Sequence, residues 1–186
     1  MSKIGGAFVG FIIAVLAFAA NAGEWKTIPA DKARIKFTAI DGARTEFATA
    51  WNDSWTGEYT IGEWVSPKAL YPRAGLVLVE LASYRYFLGR EGELTKNLKS
   101  FFVFLQDKSI NLYGKEKYKR TDHWRFELPG AECIALRKVF GETSIGASHG
   151  AGTKKYWGYY CDTPGWIQAS GVEGILGGIS YRKAYR

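Results

Sequence analysis

The chain has 186 residues, a formal net charge of +7, 16% aromatic side chains and two cysteines. That length fits one domain, two at most. Hydrophobic residues at 47% and charged residues at 23% exclude wholesale disorder. Two cysteines exclude a four-cysteine zinc site and a disulfide-dense mini-protein.

Residues 1 to 22 read as a cleaved export signal. Lys3 is the only charge before Glu24, residues 4 to 20 are apolar or glycine, and Ala20-Asn21-Ala22 forms a small-x-small end. An uncleaved anchor competes with this reading, but the run falls short of a comfortable membrane span. No cysteine follows the small residues, so a lipoprotein anchor has no support. No long uncharged apolar stretch recurs, so no later transmembrane segment is expected. The mature chain, residues 23 to 186, is expected to form a single α+β domain in the periplasm or outside the cell. It carries 24 basic and 18 acidic side chains and no methionine.

Export gives the cysteines a meaning. Cys133 and Cys161 are the only pair, and an oxidising compartment favours their disulfide. Their spacing is not that of a C-x-x-C redox motif, so a structural brace is the reading. Closing a loop of about 29 residues stabilises by about 3.6 kcal/mol in the chain-entropy picture.

In chain order, residues 34 to 40 alternate with period two, Asp41-Gly42 follows, and residues 43 to 50 continue. This predicts a hairpin with a type I′ turn. Residues 51 to 64 are an aromatic-rich strand and loop region, and Pro67 and Pro72 bracket a connector. Residues 75 to 88 are β-prone. Leu76 to Val79 is continuously apolar, as in a central strand covered on both faces. Leu94, Leu98, Phe101, Phe102 and Leu105 then repeat with helical spacing and predict an amphipathic helix over 93 to 107.

Residues 117 to 127 and 132 to 140 read as two strands joined through Leu128-Pro129-Gly130. A glycine- and serine-rich loop spans 141 to 153, an aromatic strand 154 to 161, and a turn 162 to 165. Residues 166 to 179 suggest a last helix, weakened by four glycines. The sum is an α+β fold, mostly antiparallel sheet with one or two packed helices and one disulfide. If strands 132 to 140 and 154 to 161 are antiparallel neighbours, the disulfide staples the mouth of their hairpin.

Coherent catalytic chemistry is absent from the sequence. Gly146-Ala147-Ser148-His149-Gly150 matches G-x-S-x-G, but no helix start follows it and no histidine comes later for a triad. The stretch from Gly150 to Lys154 lacks the G-K-[ST] ending of a phosphate loop. Two histidines, His123 and His149, do not supply a transition-metal set, so no metal and no cofactor are expected. Asp53, Glu58 and Glu63 lie among tryptophans, as glycan-cleft carboxylates do, but nothing in their spacing fixes a separation, and solvated loop acids beside partly buried aromatics are the plainer account.

Positive charge is uneven. Residues 23 to 104 hold 11 basic and 10 acidic side chains, whereas residues 105 to 186 hold 13 and 8. Lys115, Lys117, Lys119 and Arg120 cluster along one predicted strand, and Lys154 and Lys155 follow the glycine loop. On one continuous strand, Lys117, Lys119 and Thr121 would share a face, opposite Tyr118, Arg120 and Asp122. These six cations form the candidate anion-binding set. A solubilising surface is the plainer account of them. Anionic lipid, acidic glycan or an acidic envelope protein are the expected partners after export; nucleic acid is disfavoured.

Cys133, a glycine-containing interval, Trp157-Gly158-Tyr159-Tyr160-Cys161-x-x-x-Gly165 and a terminal helix together resemble uncharacterised exported proteins of Gram-negative bacteria. The resemblance covers roughly the last sixty residues. It implies a paired-cysteine scaffold and a periplasmic home, and no activity. The glycine-broken segment after Trp166 departs from the better-formed helix that resemblance implies.

The expectation is therefore an exported, disulfide-braced protein that acts by binding. The alternative is a small envelope hydrolase acting on glycans through Asp53 and Glu58 beside Trp51, Trp55 and Tyr59. A third reading is docking onto a protein through exposed aromatics.

Overall fold

The computed structural model describes residues 24–38, 40, 44–52, 57–66, 69–81, 93–141, 153–165, 167 and 169–182. The expected export signal, the Asp41-Gly42 turn, Ser148, His149, Asp53 and Trp55 lie outside them. The elements in chain order are β1 (Lys26–Ile28), β2 (Ile35–Phe37), β3 (Arg44–Asn52), β4 (Gly57–Val65), β5 (Ala74–Leu81) and α1 (Glu93–Phe101). A 3-10 turn at Val103–Leu105 follows, then β6 (Tyr113–Tyr118), β7 (Thr121–Leu128), β8 (Ala131–Phe140), β9 (Lys154–Asp162), α2 (Ala169–Gly177) and β10 (Ile179–Tyr181).

Eight strands form one antiparallel sheet in the order β1-β3-β4-β5-β9-β8-β7-β6. It consists of two meanders, β3-β4-β5 and β6-β7-β8-β9, joined where β5 pairs with β9. All eight residues of β5 are buried, because this strand runs mid-sheet with both faces covered.

One face packs against α1 and the turn after it. There Leu94, Leu98, Phe102 and Leu105 meet Tyr59, Ile61, Val77 and Tyr159. The opposite face packs against β2 and α2, where Ile35, Phe37, Val172 and Ile175 meet Trp64, Leu76, Leu78 and Ile134. Period-two alternation sends neighbouring residues of each strand into different cores.

Two glycines let the centre close. A Cβ on Gly158 would collide with the Gly75 carbonyl oxygen, and a Cβ on Gly75 would collide with the Phe102 and Tyr159 rings. Those rings meet edge to face at 4.8 Å between centroids.

Cys133 lies opposite Cys161 in the β8–β9 register, and the two form the disulfide. It closes the open end of that hairpin, as the strand order predicted. The molecule is β-rich, with two nine-residue helices beside ten strands among the described residues, so the α+β label fits only loosely.

Three local expectations change. The segment at 34 to 40 does not form a hairpin with the segment after it: β2 pairs with β10, while β3 pairs with β1 and β4. The reason is burial, since Ile35 and Phe37 cover the sheet face and are 0% and 4% exposed. The expected strand at 117 to 127 is instead a hairpin, β6 and β7, reversing at Lys119 and Arg120. Both take positive φ, 43° and 69°, without the glycine or asparagine that normally marks such a turn. Reversal also overturns the predicted face assignment, because Lys117 now pairs with Asp122 and shares its face. Finally, the helix expected over 93 to 107 ends at Phe101, and Phe102 is extended before the 3-10 turn.

Candidate anion-binding face

The six predicted cations do not converge. Lys154 and Lys155 are consecutive on β9 and so point to opposite faces. Lys154 joins the α2 side. Its ammonium lies 3.1 Å from Glu80 and against the Tyr181 hydroxyl. Arg34 reaches the same Glu80 carboxylate at 2.5 Å, and Tyr181 donates to it at 2.5 Å. Burial works to raise the Glu80 pKa, but the bonds from Tyr181, Arg34 and Lys154 outweigh it and hold the carboxylate charged. Glu58 adds to this cluster, 3.4 Å from Arg34 and accepting from Thr49. The network ties β2 and β10 to the sheet and leaves Lys154 engaged.

Lys119 and Arg120 occupy the tip of the β6–β7 hairpin. Lys119 lies over the Tyr118 ring at 5.0 Å. The Lys138 pKa is lowered, first by burial and then by the Arg120 charge, so cations crowd at this tip.

The remaining three predicted cations, Lys115, Lys117 and Lys155, share the α1 face with one that sequence reasoning missed, Arg137. Lys115 lies over the Trp124 ring at 5.6 Å, and Arg137 lies over the same ring at 5.5 Å. Lys155 lies over Trp157 at 5.4 Å. Lys117 and Arg137 both approach Asp122, at 3.9 and 3.5 Å. Cation–aromatic stacking of this kind holds a positive group against an apolar wall. A signal for Arg137 existed: counting by twos from Cys133 and Cys161 puts Arg137 and Trp157 on the disulfide's own face, and they pair in register. A structural role also applies to part of the set, because β6 is an edge strand and exposed lysines there discourage edge-to-edge pairing.

Of the acids named for glycan cleavage, Asp53 lies outside the described residues, and the other two separate. Glu58 and Glu63 stand five residues apart on β4 and therefore face opposite sides. Glu63 lies opposite Glu46 in the β3–β4 register. Burial and the Glu46 charge push its pKa up from its ordinary value of 4.5 to about 7, against a smaller opposing pull from the Tyr159 hydroxyl. His123 is buried on the α2 side with Nε2 3.3 Å from Glu116. Among the described residues no cluster of three or more histidine, cysteine or acidic side chains is placed to hold a metal ion.

At the disulfide end of the sheet lies a cavity of about 310 Å³ lined by Ser66, Leu70, Tyr71, Arg73, Asp162 and Thr163, among others. Its polar groups already serve one another. Arg73 pairs with Asp162 and donates to the Tyr160 hydroxyl, which donates to Asp162 at 2.7 Å. Among the described residues no helix is long and apolar enough to cross a membrane.

Compared with protein-family models, with curated proteins and with solved structures, the chain matches none.

Proposed function

We propose that this is an exported binding protein, not a catalyst, whose α1 face receives an anionic component of the cell envelope. The observation that carries the reading is the gathering of Lys115, Lys117, Arg137 and Lys155 around Trp124 and Trp157, with Asp122 as the facing carboxylate. Aromatic walls lower the local dielectric, which strengthens attraction for an anion relative to open solvent. The signal pattern of residues 1 to 22 and the Cys133–Cys161 disulfide support a periplasmic or secreted home.

Binding of the purified protein to phosphatidylglycerol vesicles and to isolated cell-wall polymer, measured from 20 to 500 mM salt, tests this reading; these concentrations span roughly a Debye length of 20 Å down to about 4 Å. Retention at low salt that fades as salt rises is expected. Lys115→Glu with Lys117→Glu should weaken it. Absence of binding to either material at the lowest salt would overturn the electrostatic part.

A further inference from the structure

Strand β6 is loosely held. It lies at the edge of the large sheet, pairs with β7 alone, and five of its six residues are exposed. Its register with β7 shifts between Tyr113 and Glu116, so the continuous pairing is confined to Glu116, Lys117 and Tyr118. The turn that follows holds Lys119 and Arg120 at positive φ. A two-stranded hairpin is marginal on its own, so side-chain contacts decide how firmly such an edge stays down.

One of those contacts depends on charge. Glu116 lies directly opposite His123 in the β6–β7 register, and the two side chains share the α2 side of the sheet. His123 Nε2 is 3.3 Å from Glu116 Oε2; the histidine side chain is 4% exposed and the glutamate 63%. Neither ring nitrogen of His123 has a hydrogen-bond partner among the described residues. A neutral imidazole therefore leaves both nitrogens buried without a partner, which is costly. Protonation makes Nε2 a charged donor facing a carboxylate. Nδ1 lacks a partner in either state, so the difference between the states lies at Nε2. Glu116 stays in solvent, so only one of the two charges has to be buried.

The other charged groups on this side of the sheet are engaged elsewhere. Arg125 and Glu127, further along β7, are bound to Glu132 at 3.0 Å and to the Tyr113 hydroxyl at 2.9 Å. Lys138 on β8 feels the Arg120 charge, and Glu173 on α2 acts on Lys119 at the hairpin tip. Thr121 shares a hydrogen bond of 3.0 Å with the Tyr156 hydroxyl. Leu136, opposite His123 on β8, brings no charge. Glu116 is thus the carboxylate that answers a charge on His123.

We propose that His123 and Glu116 form a pH-sensitive latch on edge strand β6, closed when His123 is protonated and released when it is neutral. Histidines ordinarily change charge between pH 5 and 8, so the latch contributes at acidic pH and is lost as pH rises. Lys115 and Lys117 extend from β6 on the opposite, α1 side, so the latch also sets how firmly those two cations are presented. That consequence rests on the anion-binding reading above; the latch itself does not.

The test is amide hydrogen exchange of the purified protein by NMR at pH 5.5 and pH 8. Protection factors, corrected for the intrinsic pH dependence of exchange, are read for the amides that pair β6 with β7. The ratio of protection at pH 5.5 to that at pH 8 should be about threefold to fivefold larger in the wild type than in Glu116→Gln. Glu63 also changes charge in this range, but it is common to both proteins and cancels in the comparison. His123→Gln should lose the same factor, and the double variant should lose no more. Glu116→Gln alters an exposed side chain, so if His123→Gln does not fold, the wild type and Glu116→Gln still decide. Equal ratios in those two proteins overturn the latch. Unequal ratios without vesicle or polymer binding would keep the latch and refute only the anion-binding reading.

Discussion

Glu63 holds a proton near neutrality because its carboxyl is buried and faces Glu46 across the β3–β4 pair. Its folded-state pKa is raised, so the folded protein binds this proton more tightly than the unfolded chain. By linkage, its contribution to stability is full below about pH 4.5, falls as pH rises toward 7, and is gone above that. Glu63→Gln keeps a neutral side chain at every pH. The variant should be more stable than the wild type at pH 8 by up to about 3 kcal/mol and should match it near pH 4.5. Urea midpoints of both proteins from pH 4.5 to 8 measure the difference, and a pH-independent difference would contradict the assignment. Residue-scale reading from sequence had limited reach here. Glu63 was visible as an acid among tryptophans, but its partner Glu46 lies 17 positions away and is chosen by register alone. Arg137 was hidden for a related reason: a cation inside a largely apolar strand has no meaning until its neighbours across the sheet are known.

At the scale of elements, the β6–β7 hairpin carries stored strain. Its two turn residues are Lys119 and Arg120, both at positive φ, where a side chain crowds the backbone. Lys119→Asn with Arg120→Gly supplies the residues that type I′ geometry prefers and should stabilise the protein by about 1 kcal/mol. Thermal denaturation tests this, and a lower midpoint in the double variant would show that the two cations contribute contacts that outweigh the strain. Strands with strong periodicity were legible. The expected strand at 132 to 140 became Ala131–Phe140, and that at 154 to 161 became Lys154–Asp162. The β6–β7 turn was not legible, because nothing in Tyr118-Lys119-Arg120-Thr121 has turn chemistry. Strand β10 was missed too: three residues after a glycine-rich helix form a strand only because β2 offers an edge.

For the whole molecule, the disulfide clamps β8 to β9 beside the cavity and on the sheet face that α1 covers. Replacing both cysteines by alanine should cost about 3.6 kcal/mol by loop entropy, or roughly 10 °C in midpoint for a domain this size. Denaturant titration of oxidised and reduced protein checks it, and equal midpoints would show that the sheet does not depend on the brace. The disulfide should also hold the Arg137–Trp157 pair in register, since it lies two pairs along the same face.

Sequence alone determined the cysteine pair, the central apolar strand, the amphipathic α1 and the excess of cations in the second half. Each of these rests on local spacing or on simple composition, which the chain carries without knowing its fold. Tertiary structure decided the rest: β2 pairs with β10, Lys154 and Lys155 part to opposite faces, and Arg137 comes beside Trp157. Those outcomes depend on strand register and on which face a neighbouring layer covers. A shift of one residue would reverse every side chain in a strand, so only the assembled sheet specifies which charges meet.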